Sequence, residues 1–175
     1  SSFTINVLDV ETVIPITLGD LAHTYDGTAK NATATADPTS YNDEITLSYG
    51  GAILVNAGSY PVTASLSGND YSGSASGTLV IAKADPVITW ADPDAIYVGT
   101  ALSGTQLNAT ADVDGTLVYD PASGTVLAEG NDQVLSVTFT PTDTTNYNNG
   151  SASVTIDVLA KTAQTITFTL DDEVY

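Results

Sequence analysis

The sequence predicts an all-β protein built as two small antiparallel β-sandwiches in tandem. Three observations carry that expectation. Apolar and polar residues alternate with a period of two along most of the apolar stretches, and no window of ten residues shows a helical stripe. Thr, Val, Ile and Tyr fill these stretches, while Gly, Asn, Asp and Pro fill the gaps between them. The chain also repeats itself. Asn69-Asp70-Tyr71-Ser72-Gly73-Ser74-Ala75-Ser76 is echoed by Asn146-Tyr147-Asn148-Asn149-Gly150-Ser151-Ala152-Ser153, and each copy runs on through an apolar strand to Ala82-Lys83 or Ala160-Lys161.

The elements follow in chain order. Phe3 to Val10 alternates as a strand, and its Thr4-Ile5-Asn6-Val7-Leu8 resembles Thr155-Ile156-Asp157-Val158-Leu159, so residues 1–12 read as the last strand of a preceding repeat with its linker. Residues 13–83 form the first unit. Ile14, Ile16 and Leu18 open it, and Asp26-Gly27 reads as a hairpin turn after Tyr25, because both positions tolerate φ > 0. Ile45, Leu47 and Tyr49 then alternate up to Gly50-Gly51. Tyr60, Val62, Ala64 and Leu66 alternate again with Pro61 on the opposite face; Pro61 cannot donate to a ladder, so it belongs near an edge or facing outward. Ser76 to Ile81 closes the unit.

Residues 84–161 repeat the scheme with longer strands. Val87 to Trp90, Ile96 to Val98, Leu107 with Ala109 and Ala111, and Leu117 with Tyr119 are followed by two long alternating stretches. These run through Leu135, Val137 and Phe139, and through Ala152, Val154, Ile156 and Val158. From Ile166-Thr167 to Tyr175 the chain matches Ile16-Thr17 to Tyr25 at a constant offset, so residues 162–175 read as the first strand of a following repeat. The period is thus an alternating pair of unlike units, starting and stopping inside units.

Composition bounds the partners. Three Lys, no Arg and 21 acidic residues give a formal charge of −18, which repels nucleic acid and anionic lipid alike. The acids are spread without a run of five, as on a solvated folded surface. The absence of Cys removes disulfides and thiolate metal sites. There is no initiator Met, no signal peptide and no apolar run near 18 residues; the expectation is a fragment of something longer that does not itself insert in a membrane.

The motifs then point to known families. Tyr25-Asp26-Gly27-Thr28-Ala29-Lys30, Asn56-Ala57-Gly58-Ser59-Tyr60-Pro61-Val62-Thr63-Ala64, Tyr71-Ser72-Gly73 and Ile81-Ala82-Lys83-Ala84 together resemble the MBG (YDG-type) repeat of bacterial adhesins. Ile88-Thr89-Trp90, Leu102 through Ala109, Gly115 through Tyr119, and Leu135 through Pro141 followed by Asn146-Tyr147 resemble a bacterial immunoglobulin-like repeat that often alternates with it. In Tyr97-Val98-Gly99 the chain departs from that second pattern, which more often places Gly directly after Tyr. The resemblance implies two Ig-like domains serving as extension modules of a large extracellular or surface-anchored bacterial protein. Their partners would be neighbouring repeats of the same chain, with a glycan or a host or cell-surface protein as an alternative adhesive ligand.

Sites are weighed against that background. The single His23 and the absence of Cys leave little for nucleophilic catalysis, no Gly-x-Ser-x-Gly elbow occurs, and no enzymatic role is expected. Calcium is the sharper hypothesis, with Asp92, Asp94, Asp112 and Asp114 as candidate ligands and Asp171-Asp172-Glu173 as a further acidic turn. A hard cation takes six to eight oxygens, which paired loop carboxylates help to supply. The competing reading is that the same aspartates are turn formers, whose side chains bond nearby backbone, and solubilising charges. Other cofactors are not expected. Trp90 and nine Tyr could make a sugar platform, but Tyr49, Tyr60 and Tyr119 fall on the apolar faces and read as core. An isopeptide crosslink would need a buried Lys beside Asn, whereas Lys30 follows a turn and Lys83 and Lys161 sit in linkers. No ligand-binding residue is assigned from the sequence.

Overall fold

The computed structural model describes residues 11–168. Contacts divide the chain into two compact units: the described residues up to Asp85 together with Asp143–Asn148, and Pro86–Thr142 together with the described residues from Asn149 onward. Among the described residues all regular structure is β except one short 3-10 helix.

The first unit contains β1 (Thr12–Val13), β2 (Ile16–Gly19), β3 (Ala22–Thr24), β4 (Thr33–Ala36), a 3-10 helix over Thr39–Glu44, β5 (Thr46–Ser48), β6 (Gly58–Ser67) and β7 (Tyr71–Ala82). Its main sheet runs in the order β1-β7-β6-β5, and β3 also pairs with β7. β6 and β7 form a long antiparallel hairpin, whereas β1 and β3 lie parallel to the two ends of β7. β2 and β4 pair separately. The alternation expected along β6 is present: Val62, Ala64 and Leu66 are buried and the residues between them exposed. Pro61 faces outward in a central strand, but β5 extends only as far as Thr63, so no ladder bond is demanded of it. Leu79 and Ile81 of β7 meet Val62, Leu54 and Ala32 in one core cluster, and Ile14, Ala36 and Leu66 form another. Each buried Leu or Ile contributes about 1.5–3 kcal/mol.

One expectation for this unit is corrected. Asp26-Gly27 does not close a hairpin, because the strand before it, β3, is held by β7 and not by the strand that follows. Gly27 adopts φ 79°, and Asp26 bonds the local backbone at Thr28. The six-residue 3-10 helix has no sequence signature of the kind searched for; it follows extended Pro38 and is tied down by Asn42, whose Oδ1 accepts from the Ala36 N–H at 2.7 Å.

The second unit contains β8 (Ile88–Thr89), β9 (Ile96–Tyr97), β10 (Thr110–Ala111), β11 (Gly115–Asp120), β12 (Gly130–Pro141) and β13 (Gly150–Leu159). Its sheet order is β11-β12-β13-β9, with β9 parallel to the end of β13, and β8 pairs with β10. The plan matches the first unit: a closing hairpin, a short strand beside its first arm, a short parallel strand at the end of its second arm, and a separate two-stranded pair. Leu135, Val154, Ile156 and Val158 form its core with Ile96, Leu102 and Leu107. The strand expected from Leu107 shortens to β10 because Ser103 to Leu107 folds into a turn, with the Ser103 carbonyl accepting from the N–H groups of Gln106 and Leu107.

The duplicated motif has a physical reason. At Gly73 a Cβ would stand 2.4 Å from the Ile14 carbonyl oxygen, and at its echo Gly150 a Cβ would stand 2.8 Å from Ile88 Cδ1. In both copies the last strand begins where the incoming chain of its own unit crosses; at Gly73 the backbone itself leaves room only for glycine, whereas at Gly150 a side chain would have to push the tip of Ile88 aside. The strand expected over Phe3 to Val10 lies outside the described residues, as do residues 169–175; Ile166 and Phe168 are exposed and carry no strand.

Candidate functional site

Asn146 is the most constrained polar residue of the first unit. It is 5% exposed, its Oδ1 accepts from the Ala57 N–H at 2.8 Å, and its Nδ2 donates to Asp143 Oδ2 at 2.7 Å and Asn56 Oδ1 at 3.3 Å. The bond from Asn146 Nδ2, with backbone donors from Asn146 and Thr145, holds the Asp143 carboxyl below the usual range. Tyr147 packs edge-on to Tyr25 at 5.4 Å. These bonds tie distant segments of the unit together, so the cluster is structural.

The other perturbed groups also serve the fold. Asp26 is held well below the ordinary carboxyl range by hydrogen bonds from Lys30 and from the side chain and backbone of Thr28. Tyr71 donates its hydroxyl to the Glu44 carboxylate, which raises its pKa, and its ring packs on Tyr41. His23 donates from Nε2 to the Asp20 carbonyl at 2.8 Å. Lys83 donates to the Thr144 carbonyl.

One cleft in the second unit gathers unspent polar groups. It has a volume of about 280 Å³ and is lined by residues 91–96 on one side and by Thr105, Gln106 and Asn108 on the other. The first side is the loop between β8 and β9, fixed where Asp92 Oδ1 accepts from the Thr155 N–H at 3.2 Å and where Ile96 enters the core. The second side is the Ser103 turn. Trp90 joins the two: its ring packs against the core and edge-on to Tyr119, while its Nε1 donates to the Gln106 carbonyl at 3.0 Å. Gln106 is 8% exposed and its Oε1 accepts from both the N–H and the hydroxyl of Ser103 at 3.1 Å. Asn108 donates from Nδ2 to the Thr105 carbonyl at 3.1 Å.

Of the four aspartates singled out in the sequence, Asp92 and Asp94 share this cleft and Asp112 and Asp114 do not line it. Asp112 Oδ1 accepts from the Val87 N–H at 2.8 Å, and the Asp114 carbonyl accepts from Thr142. Among the described residues no group of three or more His, Cys, Asp or Glu is placed to hold a metal ion. Sequence reasoning missed Asn108 because it lies in a stretch read as a strand, and Gln106 because it directly precedes that stretch and was given no role. The available signal was Ser103-Gly104-Thr105-Gln106, a polar run with turn formers interrupting the apolar alternation. Tyr49 and Tyr60 fall beside the first core as expected, with Tyr49 Oη accepting from the Ala32 N–H at 2.9 Å.

Residues 15–85 match the family model of the MBG domain. No curated protein matches the chain. Among the described residues no helix is long and apolar enough to cross a membrane.

Proposed function

We propose that this chain is a non-catalytic structural repeat of a large extracellular bacterial surface protein or adhesin, one that extends the parent and projects a functional tip. The observation that carries the reading is the MBG match over residues 15–85, since that domain is typical of bacterial surface proteins. Two features support it. The closing strand with its glycine is written twice, and the second unit follows the same order of strand pairings as the first although its sequence differs; we read that second unit as the immunoglobulin-like partner of the MBG domain. The net charge of −18 keeps such an array soluble and discourages binding to polyanions.

Neighbouring repeats of the same chain are the partners on this reading. Forced extension tests it directly. Pulling the chain between tags should give two unfolding events, each lengthening the tether by roughly 3.3–3.6 Å per released residue, less the folded span. A single event spanning the whole chain, or turnover of a substrate lost on substitution of one side chain, would overturn it. Calcium, assigned in sequence to Asp92, Asp94, Asp112 and Asp114, is tested by titration calorimetry after chelation; heat at millimolar calcium supports a bound ion.

A further inference from the structure

We propose that the cleft between residues 91–96 and the Ser103–Asn108 turn binds a single sugar ring through adjacent hydroxyls. The proposal goes beyond the structural-repeat reading and stands on the cleft alone.

Gln106 makes the argument. The Ser103 backbone N–H can only donate, so the amide atom it meets at 3.1 Å is the oxygen, and this settles which way the amide is turned. The Nε2 on the other side donates to nothing among the described residues. It is not sealed from solvent either, since no buried polar side-chain atom lacks a partner. Gln106 is more than nine-tenths buried and lines the cleft, so Nε2 is the donor it presents there. The same cleft holds acceptors that the fold leaves unused: the second oxygen of Asp92 and the carboxylate of Asp94 on the facing loop, and Oδ1 of Asn108 on the Gln106 side.

This mixture of one fixed donor and several acceptors selects the ligand's chemistry. A calcium ion would face the partial positive charge of the amide N–H groups. An ammonium group would satisfy the carboxylates and leave Nε2 unpaired, and an anion would be repelled by both aspartates. A hydroxyl group both donates and accepts, and neighbouring hydroxyls on a ring donate to the carboxylates while one of them accepts from Nε2. Pro93 and Ile96 offer apolar contact for the ring's C–H face. The volume lies just below the roughly 300 Å³ at which drug-sized pockets begin, which fits one pyranose and not an oligosaccharide.

The test is a titration of the full chain, followed by its backbone amide signals, with the methyl glycosides of glucose, galactose and mannose and with N-acetylglucosamine, first with chelator and then with calcium alone. At least one sugar should shift amides of residues 91–96 and 103–108 saturably, at an affinity near ~1 mM. Q106E keeps the oxygen that Ser103 needs and replaces the free donor with an acceptor; it should weaken that sugar about tenfold or more. D94A, at an exposed side chain that bonds nothing within the described residues, should weaken it similarly with Trp90 fluorescence unchanged. The proposal is overturned if none of the four sugars shifts these amides, if Q106E leaves sugar binding intact, or if calcium alone shifts them and Q106E tightens it.

Discussion

Asn146 shows how much one buried amide can hold. It uses its acceptor on the Ala57 N–H and its donor on Asp143 and Asn56, so nothing small replaces it. Asn146→Ala should destabilise the first unit by about 1–3 kcal/mol, because it strands a donor away from water. Faster hydrogen exchange at Ala57 is the local readout, and unchanged exchange there would contradict it. Asp26 is exposed and acts through pH. Its folded pKa lies below its unfolded value, so its contribution is present above about pH 4 and is lost as pH falls below that. The difference in melting temperature between wild type and Asp26→Asn should therefore shrink on acidification below about pH 4 and stay flat from about 5 to 8. Tyr71 has the opposite sign: its raised pKa favours the neutral phenol, so its contribution is kept below about pH 10 and lost above it.

At the scale of elements, the closing hairpins organise each unit. β6 with β7 and β12 with β13 are the longest paired strands, and they supply most of the fully buried side chains. Neighbouring positions on one strand should differ sharply. Leu79 is fully buried and Val80, next to it on β7, is 42% exposed. Leu79→Ala should cost about 2–5 kcal/mol by loss of burial plus the cavity left behind. Val80→Ala should stay within about 0.5 kcal/mol. Urea denaturation of both variants checks the pair, and equal costs would mean that β7 does not present these faces. The short strands behave differently. β3, β9 and β1 have two or three residues each and are held by one neighbour, so their positions depend on the hairpins and not on their own propensity.

For the whole molecule, charge is the dominant general force beyond the cores. Three cations face 21 acidic residues, and the ion pair described is Lys30 with Asp26. Self-repulsion therefore works against the folded state, and salt screens it over a Debye length of about 10 Å at 0.1 M. The melting temperature should rise between about 0.01 and 0.5 M sodium chloride. A fall would show that attractive pairs, not net repulsion, govern its electrostatics. Against that excess of acid Asp94 stands out: Asp112, Asp157 and Asp92 each accept from a backbone N–H, whereas the Asp94 carboxylate bonds nothing among the described residues.

The sequence by itself determined the all-β character, the long alternating strands and the likeness of residues 15–85 to the MBG domain, because side-chain period, turn chemistry and motif order are local properties. Tertiary structure decided the rest. β3 lies on β7 instead of turning at Asp26-Gly27, residues 143–148 complete the first unit, and Gln106 faces Asp92 and Asp94 across a cleft. Each of these depends on which distant segments meet, a choice made by packing that neither alternation nor turn residues encode. The glycines at 73 and 150 stand between the two cases: their recurrence was visible as a repeat, but only the crossing chain shows what a side chain would meet there, the Ile14 backbone at one and the tip of the Ile88 side chain at the other.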